Sequence, residues 1–487
     1  MSSESEFIDG FVSHCWRSSR MGKVLALLIY SNMLAATLVS SLIALLFAIL
    51  QWQGYSPMVT CNSRYCHSGM TYGPYCFFSG SISFFLTFFY WHVILDMFGL
   101  GRGYFFDKLC VHEYIKDRTM AGILSFAAFV SRSKEFILLW DHLHFTRLWC
   151  TLEVASLIKS NGHGRLPLSF LPLELATFAF LGWVCFFLIH ALFCVNTLLD
   201  DIIPQDIFSV GLLVITFYML INSTRKYLVQ RKMLSVQLET FEVAKAECFL
   251  ERDRKIVNNT LIDWFGSLEA FDNHVHTAVR QKIISTIGSE LHFPFKYVLP
   301  FLFLRLFLHM DYVVAGRLTL GVPEGESATV HVLGMFSFAV LCLTLFPVAL
   351  LVCNVFPKTL ESWWKDILVN IAMVCVSAIY VQGCVMVSFM LVQRLSLFVA
   401  IPYTLFCIAW ACWMMRGSFP GLRTRSATPD ATVSTSCSQV DRSEHEQQSK
   451  VNECNQLVGS EHELSKNVVA ANHVMEGKGD FEDSVLV

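Results

Sequence analysis

Residues 133–153 read Ser-Lys-Glu-Phe-Ile-Leu-Leu-Trp-Asp-His-Leu-His-Phe-Thr-Arg-Leu-Trp-Cys-Thr-Leu-Glu, and they decide what kind of soluble fold this chain carries. Phe136–Trp140 is an unbroken apolar run of strand length, the pattern of a strand covered on both faces of a parallel sheet. Asp141–His144 is then the loop at its carboxyl end, where open α/β sheets keep their ligand sites. Thr146 is placed to cap a helix beginning at Arg147. On that helix Trp149 and Glu153 stand one turn apart and share a face. A carboxylate one turn from an indole suits a cationic or sugar-bearing ligand.

Most of the remaining chain reads as membrane anchor. Hydrophobic residues make up 54% and charged residues 15%, against about 25% charged in an average soluble domain. Mean hydropathy is +0.51. This predicts a polytopic α-helical membrane protein, with the lipid bilayer as its main partner and no nucleic-acid partner. The net charge of −3 decides nothing; the placement of the basic residues decides topology. The 17 cysteines form no regular Cys-x-x-Cys pair, so neither a zinc site nor a disulfide framework is indicated and no metal is expected. The His-x-His pairs at His142/His144 and His274/His276 lack a nameable third ligand.

About eight spans are expected: Val24–Leu50, Phe77–Phe98, Phe170–Cys194, Ile207–Asn222, Tyr297–Ala315, Val330–Phe356, Asp366–Leu391 and Leu395–Met415. Nine Lys and Arg residues between Arg102 and Arg165 place that segment, and the N-terminus with it, in the cytosol. Arg416, Arg423 and Arg425 place the C-terminus there too. The division that follows has a small cytosolic module in two parts, 1–23 and 99–169, separated by a transmembrane hairpin at 24–98. A second hairpin fills 170–223, a cytosolic helical segment 224–294, a four-span membrane domain 295–416, and a disordered cytosolic tail 417–487.

Single residues add detail. Leu234, Leu238, Phe241 and Cys248 lie along one face of the helical segment, a docking or coiled-coil element or a helix packed under the membrane. Cys61, Cys66 and Cys76 share an external loop where a disulfide staple could persist. Arg305, His309 and Asp311 are ionisable groups inside a span, which default to a functional hypothesis. The sequons at Asn222 and Asn258 lie on the predicted cytosolic side and are chance matches.

With the first hairpin spliced out, the cytosolic pieces resemble a Toll/interleukin-1 receptor (TIR) domain of the STIR type. Ile8-Asp-Gly-Phe-Val-Ser-His14 resembles that family's first strand, and Tyr104-Phe-Phe-Asp107 its second, which also ends in Asp. The segment from Ser133 to Ala155 resembles its most recognisable box: a serine, an apolar strand, a loop, then Trp-Cys-x-x-Glu, met here by Trp149, Cys150 and Glu153. The resemblance implies a small, split α/β parallel-sheet module, with at least one strand of the full sheet missing. In the family's catalytic members this glutamate is required to cleave the nicotinamide–ribose bond of NAD. Carried over, the catalytic role falls on Glu153, with NAD as substrate and no certain cofactor. Trp149, Ser13, His14, Arg17 and Asp107 are the ligand-binding candidates beside it. Many TIR domains are instead scaffolds that self-associate. Three functions are therefore expected: a membrane-anchored signalling or scaffold protein acting by homo-oligomerisation or nucleotide binding; an NAD glycohydrolase using Glu153; and a transporter or channel built on the C-terminal spans.

Overall fold

The computed structural model describes residues 8–60, 71–107, 126–162, 166–198, 205–248, 251–287, 294–320, 344–355, 363–394 and 397–415, with isolated positions between 333 and 341. In chain order the elements are β1 (Gly10–His14), α1 (Arg20–Trp52), β2 (Val59–Thr60), β3 (Thr71–Tyr72), α2 (Tyr75–Met97), β4 (Tyr104–Phe106), α3 (Phe126–Ser131), β5 (Phe136–Trp140), α4 (Leu148–Asn161) and β6 (Leu168–Pro172). Helices α5 (Leu173–Leu198), α6 (Gln205–Glu239), α7 (Glu251–Phe265), α8 (Leu268–His274), α9 (Arg280–Ile287), α10 (Phe295–Leu320), α11 (Leu345–Val355), α12 (Trp363–Arg394) and α13 (Leu397–Met414) follow. The chain is mostly helical. Helices α1, α2 and α5 are each long and apolar enough to cross a membrane.

Four strands form one parallel sheet in the order β4-β1-β5-β6. Numbered by appearance within that sheet, the order is 2-1-3-4, that of the first four strands of a flavodoxin-like doubly wound sheet. The second strand is thus paired to one side of the first and the third to the other, and the crevice at their carboxyl ends is the topological switch point. Ser13 and His14 are the last two residues of β1.

A parallel sheet must be covered on both faces. Phe11, Phe105, Phe136, Leu138, Trp140, Leu168 and Phe170 face one way, into a core shared with α4 and with Leu234, Leu238, Val257, Leu261, Phe271, Val279 and Ile283. The helical segment after residue 224 is therefore neither a detached docking element nor a coiled coil: it is the sheet's outer layer. Val12, Ile137, Leu139 and Leu171 face the other way, onto Leu25, Ala26 and Ile29 of α1, Leu175, Ala176 and Ala179 of α5, and Tyr297 and Val298 of α10. The apolar helices themselves form the second cover.

Two sequence expectations are corrected at the start of α4. Thr146 does not cap it: the threonine hydroxyl donates to the Leu143 carbonyl at 2.8 Å, and the helix begins after Arg147. Its first free amide, on Leu148, donates instead to the Glu247 carbonyl at 3.1 Å, while the Glu247 amide donates to Thr146. A partner a hundred residues away does the work of a local cap, so no local signal announces it. In the second loop, Cys76 is a free thiol buried against Gln51 rather than a staple; Cys61 and Cys66 lie outside the described residues. Asn222 and Asn258 both fall within helices, α6 and α7.

The packing of the outer layer is testable. Leu238 is 1% exposed in the core under the sheet, and Leu238→Ala is expected to cost about 2–5 kcal/mol. Thermal unfolding of the sheet-bearing module, followed in the full-length protein, should shift down accordingly; an unchanged transition would detach the helical segment from the sheet.

Candidate functional site

The carboxyl ends of β1 and β5 meet at the switch point, and α4 closes over them. The Ser13 side chain, on the Phe11 face of β1, bridges two groups: its hydroxyl lies 2.9 Å from Nε2 of His144 and 2.6 Å from Oε2 of Glu153. His144 is carried by the turn after β5, and Glu153 by the second turn of α4. None of the three reaches solvent appreciably, with Ser13 and His144 at 0% and Glu153 at 3% exposure. This is not a nucleophile–base–acid relay, in which the imidazole stands between the other two. Here the hydroxyl stands between acid and imidazole.

Burial sets the charge states. The Glu153 carboxyl is pushed well above the ordinary carboxyl range by desolvation first and by the Asp107 charge second, with the Ser13 hydrogen bond opposing. Burial, helped by the neighbouring His14, brings His144 down to about 3. Burial thus works against the charged form of both groups. The Ser13 hydroxyl donates to Oε2 of Glu153, and Nε2 of His144 lies within hydrogen-bond distance of the same hydroxyl oxygen.

A second cluster lies one residue along β1. His14 Nδ1 is 3.7 Å from Asp107 Oδ1 at the end of β4, and the Trp16 indole donates to the other oxygen of that carboxylate. The Cys150 thiol beside it, against the opposing effect of desolvation, brings the Cys15 thiol down to about 6. Cys150, hydrogen-bonded to Cys15 and buried, is held well above the usual thiol value. Its Sγ also lies 3.6 Å from the His14 carbonyl. Lys23, in the first turn of α1, adds a positive charge that interacts with Cys15, Asp141 and Asp107.

Sequence reasoning thus places Ser13, His14, Asp107 and Glu153 in one constellation, and the structure brings those four together. Arg17 is exposed beyond the strand end. Trp149 does not share Glu153's surroundings; it packs, partly buried, against the apolar core beside α4. The helix turns through about 100° per residue, so four positions leave the indole offset from the carboxylate. Cys150 enters the sequence reading only as part of the Trp-Cys-x-x-Glu box, and Cys15 and Lys23 do not enter it, because a Cys within an apolar run carries no signal of its own. Their pairing is a property of the sheet register. His142 and His144 part company, and His276 Nε2 bonds the Phe241 carbonyl at 2.9 Å. Among the described residues no three His, Cys, Asp or Glu side chains gather as metal ligands.

The polar groups of α10 belong to helix packing. The Asp311 carboxylate accepts from the Cys76 and Phe77 amides at 2.8 Å each, capping α2, whose own cap position is a proline. Arg305 donates to His190 Nε2 on α5 at 3.1 Å, while His190 Nδ1 bonds the Phe186 carbonyl. His309 is buried one turn beyond Arg305. No family model, curated protein or solved structure matches the chain.

The raised carboxyl of Glu153 has a definite pH signature. A group whose folded pKa is raised contributes stability at low pH and loses it as pH climbs above the ordinary carboxyl value. His144, with its pKa lowered, contributes above about pH 6.5 and loses stability as pH falls below it. In the Glu153→Gln variant the alkaline loss, up to about 1.4 kcal/mol per pH unit above pH 4.3, should vanish while the acid limb persists. Thermal melting between pH 5 and 8 checks this; parallel curves for the two proteins would mean that Glu153 is ionised when folded.

Proposed function

We propose that the protein is a multi-pass membrane protein whose cytosolic, TIR-like module acts as a signalling or scaffold element, through self-association or nucleotide binding rather than by cleaving NAD. One observation carries this reading. Glu153, the residue on which the resemblance places catalysis, is 3% exposed and accepts the Ser13 hydroxyl, in surroundings that oppose its ionisation. Stabilising an oxocarbenium-like sugar needs a carboxylate that is negatively charged and within reach of the ribose. Burial works against both.

The TIR-like reading is supported by the four parallel strands in flavodoxin-like order, interrupted after the first by the α1–α2 hairpin. The missing fifth strand agrees with a chain that turns directly from β6 into α5. In the proposed topology α1, α2 and α5 are joined by α6, α10, α11, α12 and α13 to make eight spans, with the sheet module and both termini in the cytosol. The partners of Arg305 and Asp311 account for both as packing groups, so neither charge calls for a transport path.

The test is NAD consumption by the purified full-length protein beside Glu153→Gln. Neither should release nicotinamide, and chemical cross-linking in nanodiscs should give the same oligomer for both. Nicotinamide release by the unmodified protein that the substitution abolishes would make it an NAD glycohydrolase and discard the scaffold reading.

A further inference from the structure

At the opposite, amino edge of the sheet lies a cleft of about 610 Å³ that the switch-point site does not use. Three cations line it, Arg102, Lys134 and Lys282, against two carboxylates, Asp9 and Glu135. Both carboxylates are already occupied. Glu135 accepts the hydroxyls of Tyr30 and Ser169, and Asp9 accepts Lys134 Nζ at 2.7 Å and the Gly103 amide at 2.9 Å. Arg102 and Tyr104 stand together in its wall. Lys282, half-buried on α9, has no acidic partner among the described residues. The cleft therefore offers positive charge that its own acids do not cancel.

Its depth relative to the apolar helices points to a source. Helices α1 and α2 lie side by side and antiparallel: the Asn32 amide reaches the Phe88 carbonyl at 2.8 Å, and the Gln51 amide the Gly73 carbonyl at 2.6 Å. A hydrocarbon core of about 30 Å takes about twenty helical residues. Counted back from Gln51 along α1, that length ends near Tyr30, which lines the cleft. Beside it the chain leaving α2 exposes Met97, Phe98 and Leu100, apolar side chains suited to the interfacial layer.

We propose that this cleft binds the phosphate groups of an anionic ligand at the membrane surface, with Arg102 and Lys282 as the principal contacts and a phosphorylated lipid headgroup as the source its depth favours. Guanidinium and ammonium groups are the usual partners of phosphate oxygens, and basic pockets at the cytosolic face of membrane helices take phosphorylated headgroups. The inference rests on the membrane placement of α1 and α2 and is independent of what Glu153 does.

The test is calorimetric titration of the detergent-solubilised full-length protein with short-chain phosphatidylinositol bisphosphate, short-chain phosphatidylcholine and free inositol trisphosphate. Saturable binding of the bisphosphate lipid is expected, and not of phosphatidylcholine. The Arg102→Ala/Lys282→Ala double variant should bind about tenfold more weakly or worse. Lys282→Arg should retain binding, and Lys245→Ala, a surface change away from the cleft, should leave it unaltered. Free inositol trisphosphate binding much more weakly than the lipid would support a headgroup; equal affinity would support a soluble phosphate in the same cleft. Failure of both phosphorylated ligands to bind, or equal affinity in the double variant, would overturn the proposal.

Discussion

Covering both faces of a four-stranded parallel sheet is the requirement from which the rest of this architecture follows. Backbone pairing satisfies the strands along their length, but each face presents a row of Phe, Leu, Ile and Val that water must not reach. An ordinary doubly wound protein covers both faces with amphipathic crossover helices. Here one face is closed by α4 and the helices after Leu234, and the other by the near ends of α1, α5 and α10. The helices that anchor the chain are also structural parts of the soluble fold. That is why the crossover after β1 can be a hairpin of apolar helices without leaving the sheet exposed.

The same closure explains the chemistry at the carboxyl edge. Packing α4 directly over β1 puts Glu153, Ser13 and His144 out of reach of water, and an ionised carboxylate there would lack compensation. The Ser13 hydroxyl gives the buried carboxyl its hydrogen-bond partner. One residue further along, where β1 ends and the chain turns towards α1, exposure rises and the charged groups Asp107, Asp141 and Lys23 collect. The buried and polar halves of the site are thus the inside and the rim of one layer of packing.

How much of this could be read from residues alone divides by distance along the chain. Phe136–Trp140 announces its strand because burial on both faces leaves an unbroken apolar run, and Glu153 is placed by a fixed offset on a helix. The two ends of α1 and α2 follow from length and hydropathy. What the residues conceal is whatever depends on a remote partner. Glu247 standing in for a cap, Cys15 meeting Cys150, Asp311 capping α2 and Leu238 packing under the sheet each join segments that share no local pattern. The register of β1 has the same origin, since it is set by β4 and β5 rather than by β1 itself.

The place of the α1–α2 hairpin between β1 and β4 also sets an order of assembly. β1 leaves the ribosome first, yet every strand it pairs with comes at least ninety residues later, and its Ser13–Glu153 contact spans 140. At about 5–20 residues per second, β1 waits on the order of ten seconds for its neighbours. During that wait two apolar helices have been made and the hairpin can pair within itself, as the close α1–α2 packing allows. The first strand is then tethered by a five-residue link to a helix already fixed in place, and its search for β4 and β5 is confined to a small region beside that helix instead of the volume swept by a free chain. With these helices placed in a membrane as proposed, the bilayer would act as a template on which the sheet is laid down. A module excised from its helices would lose both a cover and the surface that organises its folding.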